Sequence, residues 1–166
     1  HVHSNERGRT LGNGSEVVSS IERRGAQMAD LTITVSYAMQ DELIQAGFPA
    51  GKIRVCYNGV DPEKYSLQRV SKEKVMEVKQ RYGLGEGDLM VLFIGRLVWI
   101  KGVDKLIRAM THVLEKVPNA KLVIVGLGDM RDYLERLIRS LNLQDVVKFC
   151  FEFIPEEERI AHYAAC

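Results

Sequence analysis

Hydrophobic residues occur along the second part of the chain either in short continuous runs or at helical spacing. Continuous apolar runs cover residues 89–94 and 122–125, and a third run, 146–151, is apolar except for Lys148. After each run, apolar residues recur with a period close to 3.6, over 103–117, over 129–141 and from Pro155 onward. Strands that alternate with helices in this way predict right-handed crossovers and a parallel sheet, which is an α/β fold.

Two of the predicted helices carry their apolar residues on one face. The first stripe consists of Val103, Leu106, Ile107, Met110, Leu114 and Val117. The second consists of Met130, Tyr133, Leu134, Leu137, Ile138 and Leu141. Stripes of this width are typical of helices that bury one side, so we expect both to cover the sheet.

The first part of the chain shows a shorter version of the same pattern. A helix is predicted over 15–29, a strand over 31–35, a helix capped by Ser36, and a strand over 53–57. Asn58 and Gly59 then give a turn signal, and Ser71 begins a charged helix. We therefore expect two α/β pieces joined near residues 58–70.

Composition narrows the function classes. The chain has 166 residues, 46% of them apolar and 27% charged, with a formal net charge of +1. This balance indicates a soluble globular protein and argues against a dedicated nucleic-acid binder. No apolar run approaches the ~20 residues of a membrane span. Because the chain lacks a starting Met and stops inside a helical pattern, we expect it to be a piece of a longer protein.

Three cysteines, Cys56, Cys150 and Cys166, lie far apart and lack metal-ligand spacing. We predict that they are reduced and mostly buried, in a cytoplasmic protein. No signal-peptide pattern opens the chain, and nothing in the sequence suggests a metal ion.

The end of the first long apolar run carries candidate chemistry. Gly95 and Arg96 follow this run directly, and Lys101 stands just before Gly102, where a helix is predicted to begin. A helix N-terminus attracts anions, and a guanidinium and an ammonium strengthen that attraction. The pattern predicts a diphosphate site, with two ordinary solvated loop cations as the alternative.

The other strand ends are less specific. Gly126 and Gly128 would let the backbone approach a ligand, but the third glycine of a dinucleotide fingerprint is absent. A tight β–α turn with Asp129 as the helix cap is the alternative that this motif alone favours. His3 could hydrogen-bond a sugar hydroxyl or move a proton, or it could be an ordinary loop residue, which sequence alone favours.

Four segments together resemble glycosyltransferase family 4, whose members have the two-domain GT-B fold. They are Gly95-Arg96-Leu97 with Lys101-Gly102-Val103-Asp104, Ala29-Asp30 with Val35-Ser36, Val55 with Asn58-Gly59-Val60-Asp61, and Val125-Gly126-Leu127-Gly128. At the start of the chain, His3 and Ser4 with Glu6 and Arg9 are similar to glycogen and starch synthases, especially the archaeal type.

The resemblance implies a fold of two Rossmann-like parallel-sheet domains, incomplete at both ends. Residues 1–60 would be the C-terminal part of the first, acceptor-side domain. Residues 61–88 would be a linker with the helix leading out of it. Residues 89–166 would be the first half of the nucleotide-sugar-binding domain.

It also implies an activity, that of a metal-independent retaining glycosyltransferase without a cofactor. A sugar, expected to be glucose, would pass from a nucleoside-diphosphate sugar to a glycan or another hydroxyl acceptor, as in glycogen synthases. Two alternatives stay open: a sugar-nucleotide epimerase of the same fold, and a non-catalytic nucleotide-binding module.

Residue roles follow from the same resemblance. Arg96 and Lys101 would hold the donor diphosphate and neutralise its charge, and His3 would lie near the donor sugar as a third catalytic residue. The donor site would comprise Gly95, Arg96, Lys101, Gly126, Gly128 and Phe153.

Two departures from the family pattern matter. The run from Phe149 to Phe153 lacks the family's glycine, which puts base recognition there in doubt. The family's paired glutamates would come after Cys166, so we expect the 166 residues alone to be inactive.

Overall fold

The structure is a computed structural model, and it describes the backbone of residues 14–166 with the side chains of 19–66 and 68–166. The chain divides into two compact units, His1–Val60 and Asp61–Cys166. Each unit is described here by itself.

The first unit is a short α/β arrangement. Its elements are α1 (Gly14–Met28), β1 (Thr32–Thr34), α2 (Tyr37–Gln45), a 3₁₀ turn (Ala50–Lys52) and β2 (Ile53–Val55). The strands β1 and β2 are parallel, with Thr32 opposite Ile53. As predicted, Ser36 caps α2, since its hydroxyl accepts a hydrogen bond of 3.1 Å from the Met39 N–H. A small core of Ala26, Leu43, Phe48 and Ile53 holds the unit together.

The second unit is built on a three-stranded parallel sheet. Its helices are α3 (Lys72–Arg81), α4 (Val103–Lys116), α5 (Arg131–Ser140) and α6 (Glu156–Ala165), with 3₁₀ turns at Leu67–Arg69 and Trp99–Lys101. Its strands are β3 (Leu89–Ile94), β4 (Ala120–Val125) and β5 (Val147–Cys150), in the order β3-β4-β5. The predicted alternation of strands and helices and the parallel sheet are confirmed.

Helices cover both faces of this sheet. Leu122 and Ile124 of β4 belong to one core, together with the buried residues of α4 and α5. Val123 and Val125 belong to the other core, which contains Val78 and residues of α6. Because β4 is buried on both faces from Leu122 to Val125, those four residues are all apolar rather than alternating with polar ones. The two predicted apolar stripes lie in or against the first core.

Two details differ from the sequence predictions. The N-cap of α5 is Met130, without a side-chain hydrogen bond, so the prediction of Asp129 as the cap is wrong. The prediction of mostly buried cysteines is also wrong, because Cys56 and Cys166 are exposed and Cys150 is intermediate. For Cys56 the reason is local, since it follows the end of the three-residue strand β2.

The 3₁₀ turns, three residues each, were not predicted, because such short helices show too little periodicity. None of the helices that the structure describes combines the length and the apolar character needed to cross a membrane.

Candidate functional site

The loops after the three strands form one continuous rim at the carboxyl edge of the sheet. The Gly95 N–H donates to the Val125 carbonyl at 3.0 Å, and the Gly126 N–H donates to the Cys150 carbonyl at 3.0 Å. Beyond them, the Leu97 N–H donates to the Leu127 carbonyl at 2.8 Å. These bonds extend the sheet ladder past its strands and hold the loops in register. In parallel α/β sheets this edge is where ligands bind.

Two glycines of the rim are required by the closeness of the neighbouring loop. Gly126 has a φ of +150°, and a Cβ placed there would overlap the Gly95 carbonyl oxygen. A Cβ on Gly128 would overlap the carbonyl group of Leu97. The structure therefore supplies a packing reason for both glycines, and their predicted place beside a nucleotide stays a prediction.

The predicted cation pair lies on the first loop of the rim. Arg96 and Lys101 are both exposed, and within the described part of the chain neither side chain has an ion-pair or hydrogen-bond partner. Lys101 ends the 3₁₀ turn, and Gly102, with φ +64°, turns the chain into α4. Two unpaired cations beside a helix N-terminus suit an anion such as a diphosphate.

A cavity of about 340 Å³ opens at the rim. It is lined by Ile94, Gly95, Arg96, Val125, Gly126, Leu127, Glu152, Phe153, Ile154 and Arg159. Of the six predicted donor-site residues, the cavity brings together Gly95, Arg96, Gly126 and Phe153, whereas Lys101 and Gly128 lie outside its lining. The prediction for His3 lies outside the described residues.

Sequence reasoning missed two charged residues of the cavity, Glu152 and Arg159. Glu152 stands in the loop where the family pattern would have glycine, which was the available signal. Arg159 lies one turn into α6, and nothing in the sequence pattern distinguishes it from an exposed helix residue. The Nε of Arg159 is buried, and no described residue accepts a hydrogen bond from it.

Polar contacts hold the first turn of α6, which carries Arg159. Glu156 accepts hydrogen bonds from the Lys64 ammonium at 2.6 Å and from the Tyr65 hydroxyl at 2.8 Å. Arg81 donates to the Glu158 carboxylate at 2.8 Å. The bond from Lys64 lowers the pKa of Glu156, and the bond from Arg81 lowers that of Glu158. The three glutamates of 156–158 therefore form the N-terminal turn of α6, and two of them, Glu156 and Glu158, also bind residues 64, 65 and 81.

A buried histidine, His162, also anchors α6. His162 is fully buried, its Nδ1 lies 2.6 Å from the Glu158 carbonyl oxygen, and its Nε2 lies 2.8 Å from the Tyr82 hydroxyl. Since a carbonyl only accepts, Nδ1 carries the proton and Nε2 accepts from Tyr82. Burial lowers the pKa of His162 and raises that of Tyr82. The imidazole is therefore neutral near pH 7, and the role of His162 is structural.

Aromatic side chains flank the cavity on the β5 side. Phe153 is 81% exposed at the rim. Phe149 and Phe151 stack on each other with ring centroids 4.5 Å apart, and the Arg131 guanidinium lies 3.9 Å from the centre of the Phe151 ring. Phe149, Phe151 and Arg131 are thus engaged with one another, which leaves Phe153 as the free aromatic face at the cavity.

The part of the chain that the structure describes brings no group of three His, Cys, Asp or Glu side chains into metal-binding proximity. Metal independence of the reaction stays a prediction.

Family models match both units of the chain. The model described as "Glycosyl transferases group 1" matches residues 75–166, which is more than half of the chain. The model described as "Glycosyltransferase Family 4" matches residues 1–64.

Individual relatives agree with these matches. An uncharacterised glycosyltransferase of Methanocaldococcus jannaschii is 38% identical over 89% of this chain and 38% of its own length. A GDP-mannose-dependent α-(1-6)-phosphatidylinositol monomannoside mannosyltransferase of Mycolicibacterium smegmatis is 33% identical over 86% of this chain and 36% of its own. The chain thus spans less than two fifths of the length of these relatives.

Among solved structures, Anabaena HepE in complex with UDP-glucose is similar, with a TM-score of 0.75 and 27% sequence identity. The match covers 95% of this chain and 42% of that one. The parallel sheet of the second unit, the cavity at its carboxyl edge and the match over residues 75–166 agree, and the chain belongs to the group 1 glycosyl transferase family.

Proposed function

We propose that this chain carries the donor-binding part of a retaining glycosyltransferase that uses a nucleoside-diphosphate sugar. The observation that carries the proposal is the pair of unpartnered cations, Arg96 and Lys101, beside the N-terminus of α4 and next to the cavity. The family membership of the chain supports the reaction class. This chain departs from the family pattern at two points and spans only part of its relatives' length. The activity is therefore proposed for the whole enzyme.

The residues would act on charge that develops in the transition state. The bond between the anomeric carbon and the β-phosphate oxygen breaks, and a bond from that carbon to the acceptor hydroxyl oxygen forms. Negative charge grows on the departing diphosphate, where Arg96 and Lys101 stabilise it. The departing phosphate oxygen takes the proton of the acceptor hydroxyl, so that no separate base is needed. His3 is proposed to lie near the donor sugar.

The identities of the donor sugar, its base and the acceptor are separate parts of the proposal. Glucose as the sugar and a glycogen or starch synthase-like acceptor are proposed from His3, Ser4, Glu6 and Arg9, which lie outside the described residues. The name of the mycobacterial relative contains GDP-mannose, whereas the similar HepE structure contains UDP-glucose.

Calorimetric titration with ADP, UDP and GDP tests the donor site. We expect saturable binding of one diphosphate, weakened at least about tenfold by the double substitution Arg96→Ala with Lys101→Ala. A matched control, Arg108→Ala with Lys116→Ala, removes the same charge from exposed positions of α4 that do not line the cavity. Equal losses in both double variants would contradict the proposal.

Product analysis separates transfer from epimerisation. With the full-length enzyme, a labelled nucleotide sugar and a glycan acceptor, we expect label in the glycan with retained anomeric configuration. Free sugar or an epimer, formed at the same rate without acceptor, would instead support the epimerase alternative.

A further inference from the structure

The cavity has different chemistry at its two ends. Arg96 follows β3 at one end, whereas Glu152 and Phe153 follow β5 at the other, with Arg159 of α6 beside them. The two ends are separated by two strand spacings, about 10 Å. If the diphosphate lies at Arg96, as proposed above, a nucleotide that crosses the end of β4 places its base at the β5 end.

The two charged side chains at the base end accept or donate no hydrogen bond among the described residues, although the Arg159 charge helps to lower the pKa of Glu156. The Glu152 carboxylate is exposed and has no ion-pair or hydrogen-bond partner among residues 19–66 and 68–166. Arg159 lies close to Glu156 in sequence, but that carboxylate is held by Lys64 and Tyr65. The Arg159 Nε–H has no acceptor among the described residues, so this side chain gains a hydrogen bond by turning toward an acceptor in the cavity.

The Glu152 carboxylate only accepts hydrogen bonds, and the Arg159 guanidinium beside it only donates them. This combination matches guanine better than the other bases. Guanine presents two adjacent donors, N1–H and the 2-amino group, and next to them the acceptors O6 and N7. A carboxylate accepts both donors at once, and a guanidinium donates to both acceptors. Uracil offers a single donor flanked by two carbonyl oxygens, and adenine places a lone pair beside its amino group. Each would leave one carboxylate oxygen opposite an acceptor.

The exposed ring of Phe153 supplies affinity at the same place. It is 81% exposed and adjoins Glu152 in the lining of the cavity. A free aromatic face stacks on any base, because every base has a π-face. Phe153 therefore adds to binding without selecting a base, and selection rests on the two charged side chains.

We infer that Glu152 and Arg159 read guanine, so that the donor of this glycosyltransferase is a GDP-sugar. The inference rests on the proposed function, and it adds the base and two specificity-determining residues. Glu152 accepts from N1–H and the 2-amino group, and Arg159 donates to O6 and N7.

Calorimetric titrations with GDP, IDP, UDP and ADP test the inference. IDP keeps N1–H and O6 but lacks the 2-amino group. We expect GDP to bind tightest, with IDP about tenfold weaker, since a bidentate pair to a base discriminates by roughly this amount or more. In Glu152→Gln the preference of GDP over IDP should shrink to about twofold or less. In Arg159→Gln the affinities for GDP and IDP should fall together.

The control is Glu157→Gln, the same change at an exposed position of α6 outside the cavity lining, and it should leave all four affinities unchanged. Circular dichroism melts of each variant show whether it is folded. Tighter binding of UDP or ADP than of GDP, or a preference over IDP that survives in Glu152→Gln, would overturn the inference while leaving the donor site standing. If a folded chain binds none of the four, the proposed function fails and the inference fails with it.

Discussion

The loop after β3 and the first turns of α6 are both rich in charge, but they use it in opposite ways. Around α6, Glu156 and Glu158 are bonded to Lys64, Tyr65 and Arg81, and His162 is bonded at both ring nitrogens. After β3, Arg96 and Lys101 have no partner among the described residues.

Charges that satisfy one another stabilise the fold, whereas charges held by a rigid loop without a partner are available to a ligand. The comparison therefore separates structural from functional residues better than residue type does. In the sequence, the three glutamates of 156–158 are as conspicuous as the two cations. Substitutions of the paired charges Glu156, Glu158 and Arg81 should accordingly change stability, whereas substitutions of charges without a partner, such as Arg96, should change ligand binding.

The rigidity of the rim gives the largest expected effect. Gly128→Ala should destabilise the protein by about 3 kcal/mol or more, because the added Cβ meets the backbone of Leu97 and cannot be relieved by a side-chain rotation. Chemical denaturation measures the change. Gly87→Ala is the control, since a Cβ there has nothing within 4 Å and should cost no more than about 1 kcal/mol. Equal effects at the two glycines would show that the loops of the rim are not held closely together.

The buried histidine comes next. His162→Ala should cost about 2–4 kcal/mol, because it opens a cavity and leaves the Tyr82 hydroxyl without its acceptor. The control is His112→Ala, whose side chain is 82% exposed on α4 and should change stability by less than about 0.5 kcal/mol. Denaturation midpoints compared at one pH decide the point, and similar values for both variants would contradict a structural role for His162.

Acidification should weaken the fold through the same residue. Burial holds the pKa of His162 below its ordinary value in the folded state, so below about pH 6.5 the unfolded chain binds a proton that the folded chain does not. Stability is therefore expected to fall between pH 7 and pH 5. A further loss is expected below about pH 4.5, because the folded state lowers the pKa of Glu156 and Glu158 and the unfolded chain binds these protons first. Urea denaturation across this range, with His162→Gln beside the wild type, measures it. A slope between pH 7 and pH 5 that persists in His162→Gln would assign the effect to another group.

The smallest effect on stability is expected for substitution of Arg96, which has no partner among the described residues. Arg96→Ala should change the free energy of unfolding by less than about 0.5 kcal/mol while weakening nucleotide binding. The opposite result is expected for Arg81→Gln, which breaks a largely exposed ion pair. It should lower the free energy of unfolding by less than about 1 kcal/mol and leave nucleotide binding unchanged. Denaturation and calorimetry on both variants complete the comparison. A clear loss of stability in Arg96→Ala would place Arg96 among the structural residues.

Local patterns predicted most of the fold. The run from Leu89 to Ile94 was placed to the residue, and Ser36 caps its helix as predicted. The charged helix predicted to start at Ser71 begins there, with Ser71 as its cap. Such features depend on neighbours within four residues, which a sequence displays directly. The end of the predicted sheet also indicated Gly95, Arg96 and Gly126 as residues of one site, since the carboxyl ends of parallel strands meet at one edge.

Features that depend on distant residues were missed. Asp129 has the right residue type for a helix cap, yet α5 begins two residues later at Arg131, because the Met130 N–H donates to the carbonyl of Leu97 in the neighbouring loop. Lys101 and Gly128 belong to the predicted motif but lie outside the cavity lining. Spacing along the chain does not tell whether a loop residue faces a cavity or a neighbouring loop.

The sequence alone determined the α/β class, the order of strands and helices, the faces that they bury and the cationic loop after the first long strand. Each of these follows from periodicity and from residue type over a few neighbouring positions. Only the tertiary structure decided which charges are paired, that His162 is neutral and buried against Tyr82, and that Glu152 and Arg159 share a cavity with Arg96. Pairing, burial and shared cavities depend on contacts between residues far apart in the chain, and those contacts exist only once the sheet and its helices have packed.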